Sequence, residues 1–209
     1  MVTSTRPDTR THLVNTATDL FLGRSYGSVS TSKICEAASV NKGTFYHFFP
    51  SKASLLIAAM NNYAADFKQK FTEVNQRDLS PTEKLEAVFE VPANVNRQCK
   101  ESGGSVNGCL LGNIALELST VDKEIREAAK ENLRVVSDGL KPIIETYIAA
   151  EQLDLDADFA ADHILSLIQG SMLLAKVHNN PDHILAMAKT APVALCALAT
   201  AKPSSSTVQ

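Results

Sequence analysis

The sequence predicts an all-α protein in which a small N-terminal three-helix head, holding a helix-turn-helix, precedes a larger helical body. Three observations predict it. Apolar residues recur at the helical period in one segment after another, and no segment shows a convincing period-two strand pattern. Residues 30–56, STSKICEAASVNKGTFYHFFPSKASLL, pack two short helix signals, a tight turn and a third helix start into fewer than thirty residues. A chain of 209 residues with 44% apolar residues can also bury a sizeable core.

Residues 1–8 are polar and Thr-rich, and read as a mobile arm. The first helix is expected over 9–22, where Leu13, Ala17, Leu20 and Phe21 form one apolar stripe and Gly23 stands at the C-terminal cap. Ser30 or Thr31 caps a short second helix that carries Ile34, Ala37 and Ala38 inward. Ser39, Val40 and Asn41 make the turn. Asn41 caps the third helix, 42–48, with Phe45, Phe48 and Phe49 inward and Lys42, Thr44 and His47 outward. Pro50 stops that helix, and Ser51 caps a fourth that extends to about Phe71.

The body continues in helices. Pro81 follows a Ser80 cap and opens a helix that Pro92 is expected to kink. Gly103, Gly104 and Gly108 break the chain before an apolar segment over 109–118, with Cys109 expected in the first turn of its helix. A long amphipathic helix follows over 124–148. The last pair is expected over 158–177 and 183–198, joined by the Asn179, Asn180, Pro181 turn. Residues 201–209 read as a disordered tail.

Charge is unevenly divided. Up to Leu56 six basic residues face three acidic ones, a balance of +3, whereas the remainder holds 14 basic and 20 acidic residues, a balance of -6. A basic head on an acidic body suits a chain whose one end meets a polyanion. No run of eighteen apolar residues and no signal-peptide pattern occurs, so a cytoplasmic protein is expected. Cys35, Cys99, Cys109 and Cys196 are too irregularly spaced for a zinc knuckle or a disulfide framework, and reduced thiols are expected. His163, His178 and His183 lack metal-ligand spacing, so no metal and no cofactor is expected.

A helix that reads DNA offers polar side chains to the major groove while its other face locks onto its partner helix. Lys42, Thr44, Tyr46 and His47 can donate to phosphates or base edges, and Gly43 lets the backbone approach the sugar-phosphate wall. Lys52 adds positive charge at the start of the next helix, and Ser30 and Thr31 offer hydroxyls from the second.

These residues carry a family resemblance. Residues 38–55, Ala-Ser-Val-Asn-Lys-Gly-Thr-Phe-Tyr-His-Phe-Phe-Pro-Ser-Lys-Ala-Ser-Leu, resemble the pattern A-G-V-S-K-G-T-x-Y-x-H-F-x-S-K-x-x-L of the TetR-like transcriptional repressors. The resemblance covers about the first quarter of the chain. It implies phosphate contacts at Thr44, Tyr46 and Lys52 and groove-approaching positions at Lys42 and Gly43. Ser39 replaces the usual turn glycine, which adds strain if that residue is left-handed. By the same resemblance the chain divides into a DNA-binding domain at 1–56 and an effector-binding and dimerisation domain at 57–200. It is then a two-fold dimer on a palindromic double-stranded operator, with recognition helices about one DNA turn apart. Leu165, Ile168, Leu173, Leu174, Ile184, Leu185, Val193, Leu195 and Leu198 would form the dimer face, with Gly170 and Ser171 allowing close approach.

Release by a small apolar molecule bound between the middle helices is the leading expectation, by a population shift between two dimer shapes. The alternative is electrophile or redox sensing through Cys109. A subset of the family, including the repressor of N-ethylmaleimide reductase, carries a similar Gly-Cys-Leu segment, and the likeness extends to Lys176; Cys99 is the candidate partner of an oxidised Cys109. A cysteine on an apolar helix is more often a small buried hydrophobe. A cysteine-dependent helical enzyme is the rival from another class, but no histidine and carboxylate constellation accompanies Cys109, so no enzyme is expected. Membrane association is not expected.

Overall fold

The structure, a computed structural model, describes residues 8–200. The polar tail and all of the N-terminal arm except Asp8 lie outside the described residues. Asp8 belongs to the fold, because its carboxylate caps the first helix by accepting from the Thr11 amide at 2.8 Å.

Among the described residues the chain forms eleven α-helices, one 3-10 turn and no strand. They are α1 Thr9–Gly23, the turn Tyr26–Ser28, α2 Thr31–Ala37, α3 Lys42–Phe48, α4 Lys52–Asn75, α5 Pro81–Ala87, α6 Glu90–Gly103, α7 Leu110–Leu118, α8 Lys123–Ala150, α9 Ala157–His178, α10 Asp182–Ala186 and α11 Thr190–Thr200. Gly23 is the last residue of α1 and not its cap; Arg24 takes that place with extended backbone.

Two compact units divide this chain. The first comprises residues up to Asp66 together with Asn107–Val135; the second comprises Phe67–Val106 and Val136 onward. Helices α4 and α8 therefore each contribute to both units.

In the first unit, Leu13, Val14, Ala17 and Phe21 of α1 are buried with Ile34, Cys35, Phe45, Phe49, Leu55 and Leu56. Ala37, expected inward, is exposed, and Cys35 fills the inward position. Helix α7 packs against α1 and buries Leu110, Leu111 and Ile114. Asn132 of α8 is buried and donates to Asn61 of α4 at 2.8 Å. A buried amide of this kind must find a partner, and this pair fixes the register of the two helices.

In the second unit, two prolines set helix starts. Pro92 does not kink a helix. The chain breaks at Val88 and Phe89, and Pro92 occupies the third position of α6, where its missing N–H would have no intrahelical partner. The same logic divides the last expected helix. Pro192 sits at the third position of α11, so the chain forms α10 and α11 where one helix over 183–198 was expected. Asn179 ends α9 in the left-handed region at φ 48°, and its side chain accepts from the Val106 amide at 2.8 Å. Arg97 pairs with Asp182 at 3.2 Å, tying α6 to α10, and Lys189 pairs with Glu86 of α5. Tyr147 of α8 lies 3.4 Å from the Cys196 thiol of α11, and burial holds its hydroxyl pKa well above the usual tyrosine value.

Of the expected dimer face, Leu165, Ile168, Ile184 and Leu195 are consumed by the core of the second unit. Leu185 and Leu198 are half-buried. Leu173, Leu174 and Val193 remain outside, joined by Phe159 and Val177, all more than half exposed. A side chain added at Gly170 would meet nothing within 4 Å.

Candidate DNA-binding surface and the Cys109 helix

The turn between α2 and α3 follows from three residues. Ala38 closes α2, Ser39 takes φ 53°, and Val40 returns its amide to the Cys35 carbonyl at 2.9 Å while Ser39 reaches the Glu36 carbonyl at 3.1 Å. That pair of hydrogen bonds is a Schellman closure, normally built on glycine because a side chain is strained in the left-handed region. The strain expected of Ser39 is therefore present. His12 of α1 adds a bond between its Nε2 and the Ala38 carbonyl at 3.2 Å, pinning the same corner.

A helix of seven residues does not hold itself in water, so α3 depends on its cap and its buried face. Asn41 Oδ1 accepts from the Thr44 amide at 2.8 Å and from the Thr44 hydroxyl at 3.2 Å. Phe45 and Phe49 are buried, whereas Phe48, expected inward, is only half-buried. The Arg10 guanidinium lies over the Phe49 ring, 5.3 Å from its centre. Lys42, Gly43, Tyr46 and His47 face solvent, and Tyr46 stands 52% exposed with its ring nearly perpendicular to that of Phe45, centres 5.1 Å apart. Gly43 also has a local reason to be glycine. A Cβ there would meet Asn41 Oδ1 at 3.1 Å, crowding the cap that starts the helix.

Thr44 and Lys52 are less available than the sequence suggested. The Thr44 hydroxyl proton is directed to Asn41, so a phosphate contact requires it to rotate. The Lys52 ammonium donates to the Tyr26 and Val29 carbonyls, each at 2.9 Å, and sits 3.8 Å over the Tyr26 ring. Burial depresses its pKa, and the nearby Glu117 carboxylate opposes that shift. One of its three N–H donors is left for an outside acceptor. Ser30 caps α2 by accepting from the Lys33 amide at 3.2 Å, and Thr31 is half-buried behind it.

Cys109 is the N-cap residue of α7 and not part of its first turn. Its backbone is extended at φ -114° and its side chain is 7% exposed. It belongs to the first unit, whereas Lys176, exposed on α9, and Cys99, half-buried on α6, belong to the second. At the other end of α7, Glu117 accepts from the amides of Tyr26 and Gly27 at 2.9 and 3.0 Å. Sequence reasoning gave Glu117 no role. Its partners are 91 and 90 residues away, beyond any local pattern.

Among the described residues no group of three His, Cys, Asp or Glu side chains could hold a metal ion. The second unit has an open cleft of about 190 Å³ lined by Lys70, Glu73, Arg77, Val91, Asn94, Val95 and Gln98. Its walls mix charged and amide side chains with two valines. No described helix is long and apolar enough to cross a membrane.

A helix-turn-helix with a capped, outward-facing second helix, set in an all-helical chain, defines a helical DNA-binding regulator. Residues 13–59 match the family described as bacterial regulatory proteins, tetR family, and residues 81–191 match the tetracyclin repressor-like C-terminal domain. The second match alone spans more than half of the chain, which therefore belongs to the TetR family.

The chain is 28% identical to the HTH-type transcriptional repressor DhaR of Mycobacterium sp. (strain GP1), over 84% of this chain and 86% of that protein. It is 29% identical to the HTH-type transcriptional repressor NemR of Escherichia coli (strain K12), over 63% of this chain and 65% of that one. The crystal structure of reduced E. coli NemR aligns with a TM-score of 0.74 at 26% identity, covering 88% of this chain and 96% of NemR. A regulatory protein TetR from Rhodobacter sphaeroides aligns at 0.76 and 24% identity, covering 88% and 97%, a likeness of fold.

Proposed function

We propose that this chain is a homodimeric, cytoplasmic transcriptional repressor that grips a palindromic operator with α2, α3 and the start of α4, and lets go when a small apolar molecule binds its helical body. The observation that carries the DNA-binding part is the division of α3. Phe45 and Phe49 are buried while Lys42, Gly43, Tyr46 and His47 face outward on one short, capped helix. Ser30, Thr31, Thr44 and Lys52 complete the contact set, with Thr44 and Lys52 exchanging part of their internal bonding for phosphate. Residues 1–56 serve as the DNA-binding domain and 57–200 as the effector and dimerisation domain. The repressor direction is supported by the likeness to DhaR and NemR, both repressors.

The homodimer would form on the exposed apolar residues Phe159, Leu173, Leu174 and Val177 of α9 and Val193 of α11. Burying side chains of this size is favourable by about 1.5–3 kcal/mol each, and Gly170 leaves room for a close helix. Two-fold pairing then matches a palindrome.

A second reading replaces the apolar effector with an electrophile or oxidant acting on Cys109. It is supported by the placement of that thiol at the N-cap of α7 and by the likeness to reduced NemR.

A gel-shift titration with DNA from upstream of the chain's own gene tests the main reading. A specific complex that survives excess unrelated DNA supports it, and no specific complex refutes it. For the second reading, electrophile-driven release that persists in Cys109→Ser excludes the thiol as sensor.

A further inference from the structure

The turn Tyr26–Ser28 has no side-chain cap of its own, yet it joins the two helices that open the DNA-binding unit. It is held from both sides. On one side the Glu117 carboxylate accepts from the Tyr26 and Gly27 amides, one oxygen to each, at 2.9 and 3.0 Å. On the other side the Lys52 ammonium donates to the Tyr26 and Val29 carbonyls at 2.9 Å and lies over the Tyr26 ring at 3.8 Å. An anion from α7 and a cation from α4 thus clamp one short piece of backbone, all within the first compact unit. Val29, the residue after the turn, is fully buried, and Ser30 follows as the N-cap of α2. The clamp therefore fixes where α2 begins and where the Lys52 ammonium stands.

Electrostatics alone cannot explain a carboxylate here. An exposed negative charge close to a phosphate-facing lysine repels DNA, so removing it should tighten binding if charge were its only effect. Its benefit has to be geometric. We infer that Glu117 is a positioning residue for operator binding: through the Tyr26–Ser28 turn it holds Ser30 and Lys52 in DNA-reading register, so that α7, on whose N-cap Cys109 sits, grips the head directly. This inference rests on the DNA-binding reading above.

The test titrates full-length wild type, Glu117→Ala, Glu117→Gln and the control Glu124→Ala, an exposed carboxylate of α8, against a labelled duplex from upstream of the chain's own gene. Glu117→Ala is expected to weaken binding about tenfold, although it removes a negative charge, and Glu117→Gln, which keeps one acceptor, about threefold. Glu124→Ala is expected to bind as wild type or slightly tighter. Amide hydrogen exchange over 25–29 is expected to quicken in Glu117→Ala while the melting temperature stays within a few degrees of wild type. Should Glu117→Ala fail to fold, the ordering of Glu117→Gln below wild type carries the test. Wild-type binding with Glu117→Ala equal or tighter overturns the inference alone, as does unchanged exchange over 25–29. Failure of wild type to bind any duplex specifically overturns the DNA-binding reading and the inference with it.

Discussion

Ser39 carries a left-handed backbone at φ 53° that a glycine would take without strain. Ser39→Gly is therefore expected to stabilise the chain by about 1 kcal/mol, raising Tm by about 2–4 °C with operator affinity unchanged, readable by thermal melting and DNA titration. Gly43→Ala behaves oppositely. Alanine gains about 1 kcal/mol of helix propensity but crowds Asn41 Oδ1 at 3.1 Å, so the melting temperature should barely move while operator affinity falls. Tyr46 stands more than half exposed beside Phe45, and Tyr46→Ala should lower affinity about tenfold, as loss of a phosphate contact on each half-site does, with little change in melting. The caps at Ser30 and Asn41 and the burial of Phe45 were legible in the sequence, because capping and periodicity are local. The engagement of Lys52 with Tyr26 and Val29 was not, since those carbonyls reach it only after α1, the turn and α4 have packed.

Elements were legible where a local signal starts or stops them, and illegible where proline acts on a neighbour. Pro92 and Pro192 looked like interior residues of longer helices, but each sits in a first turn, so the chain breaks a few residues earlier. The Ser80 cap shows the reverse, a signal read correctly. Ser80 and Glu83 form a reciprocal capping box at the start of α5, and these bonds hold the Glu83 carboxyl below the usual glutamate pKa. Ser80→Ala should lower Tm by about 2–4 °C at neutral pH. Because the folded-state pKa is depressed, the box contributes its stability above pH 4.5 and loses it as pH falls through the lower folded value. Melting curves of Glu83→Gln should lack that acid-dependent part.

At the scale of the molecule, compaction follows contacts more than chain order. Residues 107–135 join the head in one unit, while the chain between them and the head belongs to the other. No sequence pattern marks this, because Glu117, Asn132 and their partners are separated by 71 to 91 residues. The proposed dimer face was readable only as apolar composition. Helical spacing identified the apolar residues of the last helices but not which of them the protomer's own core would claim, and Leu173 and Leu174 remain outside it. Leu174→Glu is expected to give a monomer by light scattering and to lose operator binding, since a half-site alone holds too few contacts. The central claim, that this TetR-family chain grips DNA through the basic, outward face of its head, is tested most directly by measuring affinity for the upstream duplex across a salt series. Phosphate contacts by Lys42, Lys52 and their symmetry mates, four in all, predict a log–log slope of about -3.6. A slope near zero, or equal affinity for unrelated DNA at every salt concentration, would contradict it.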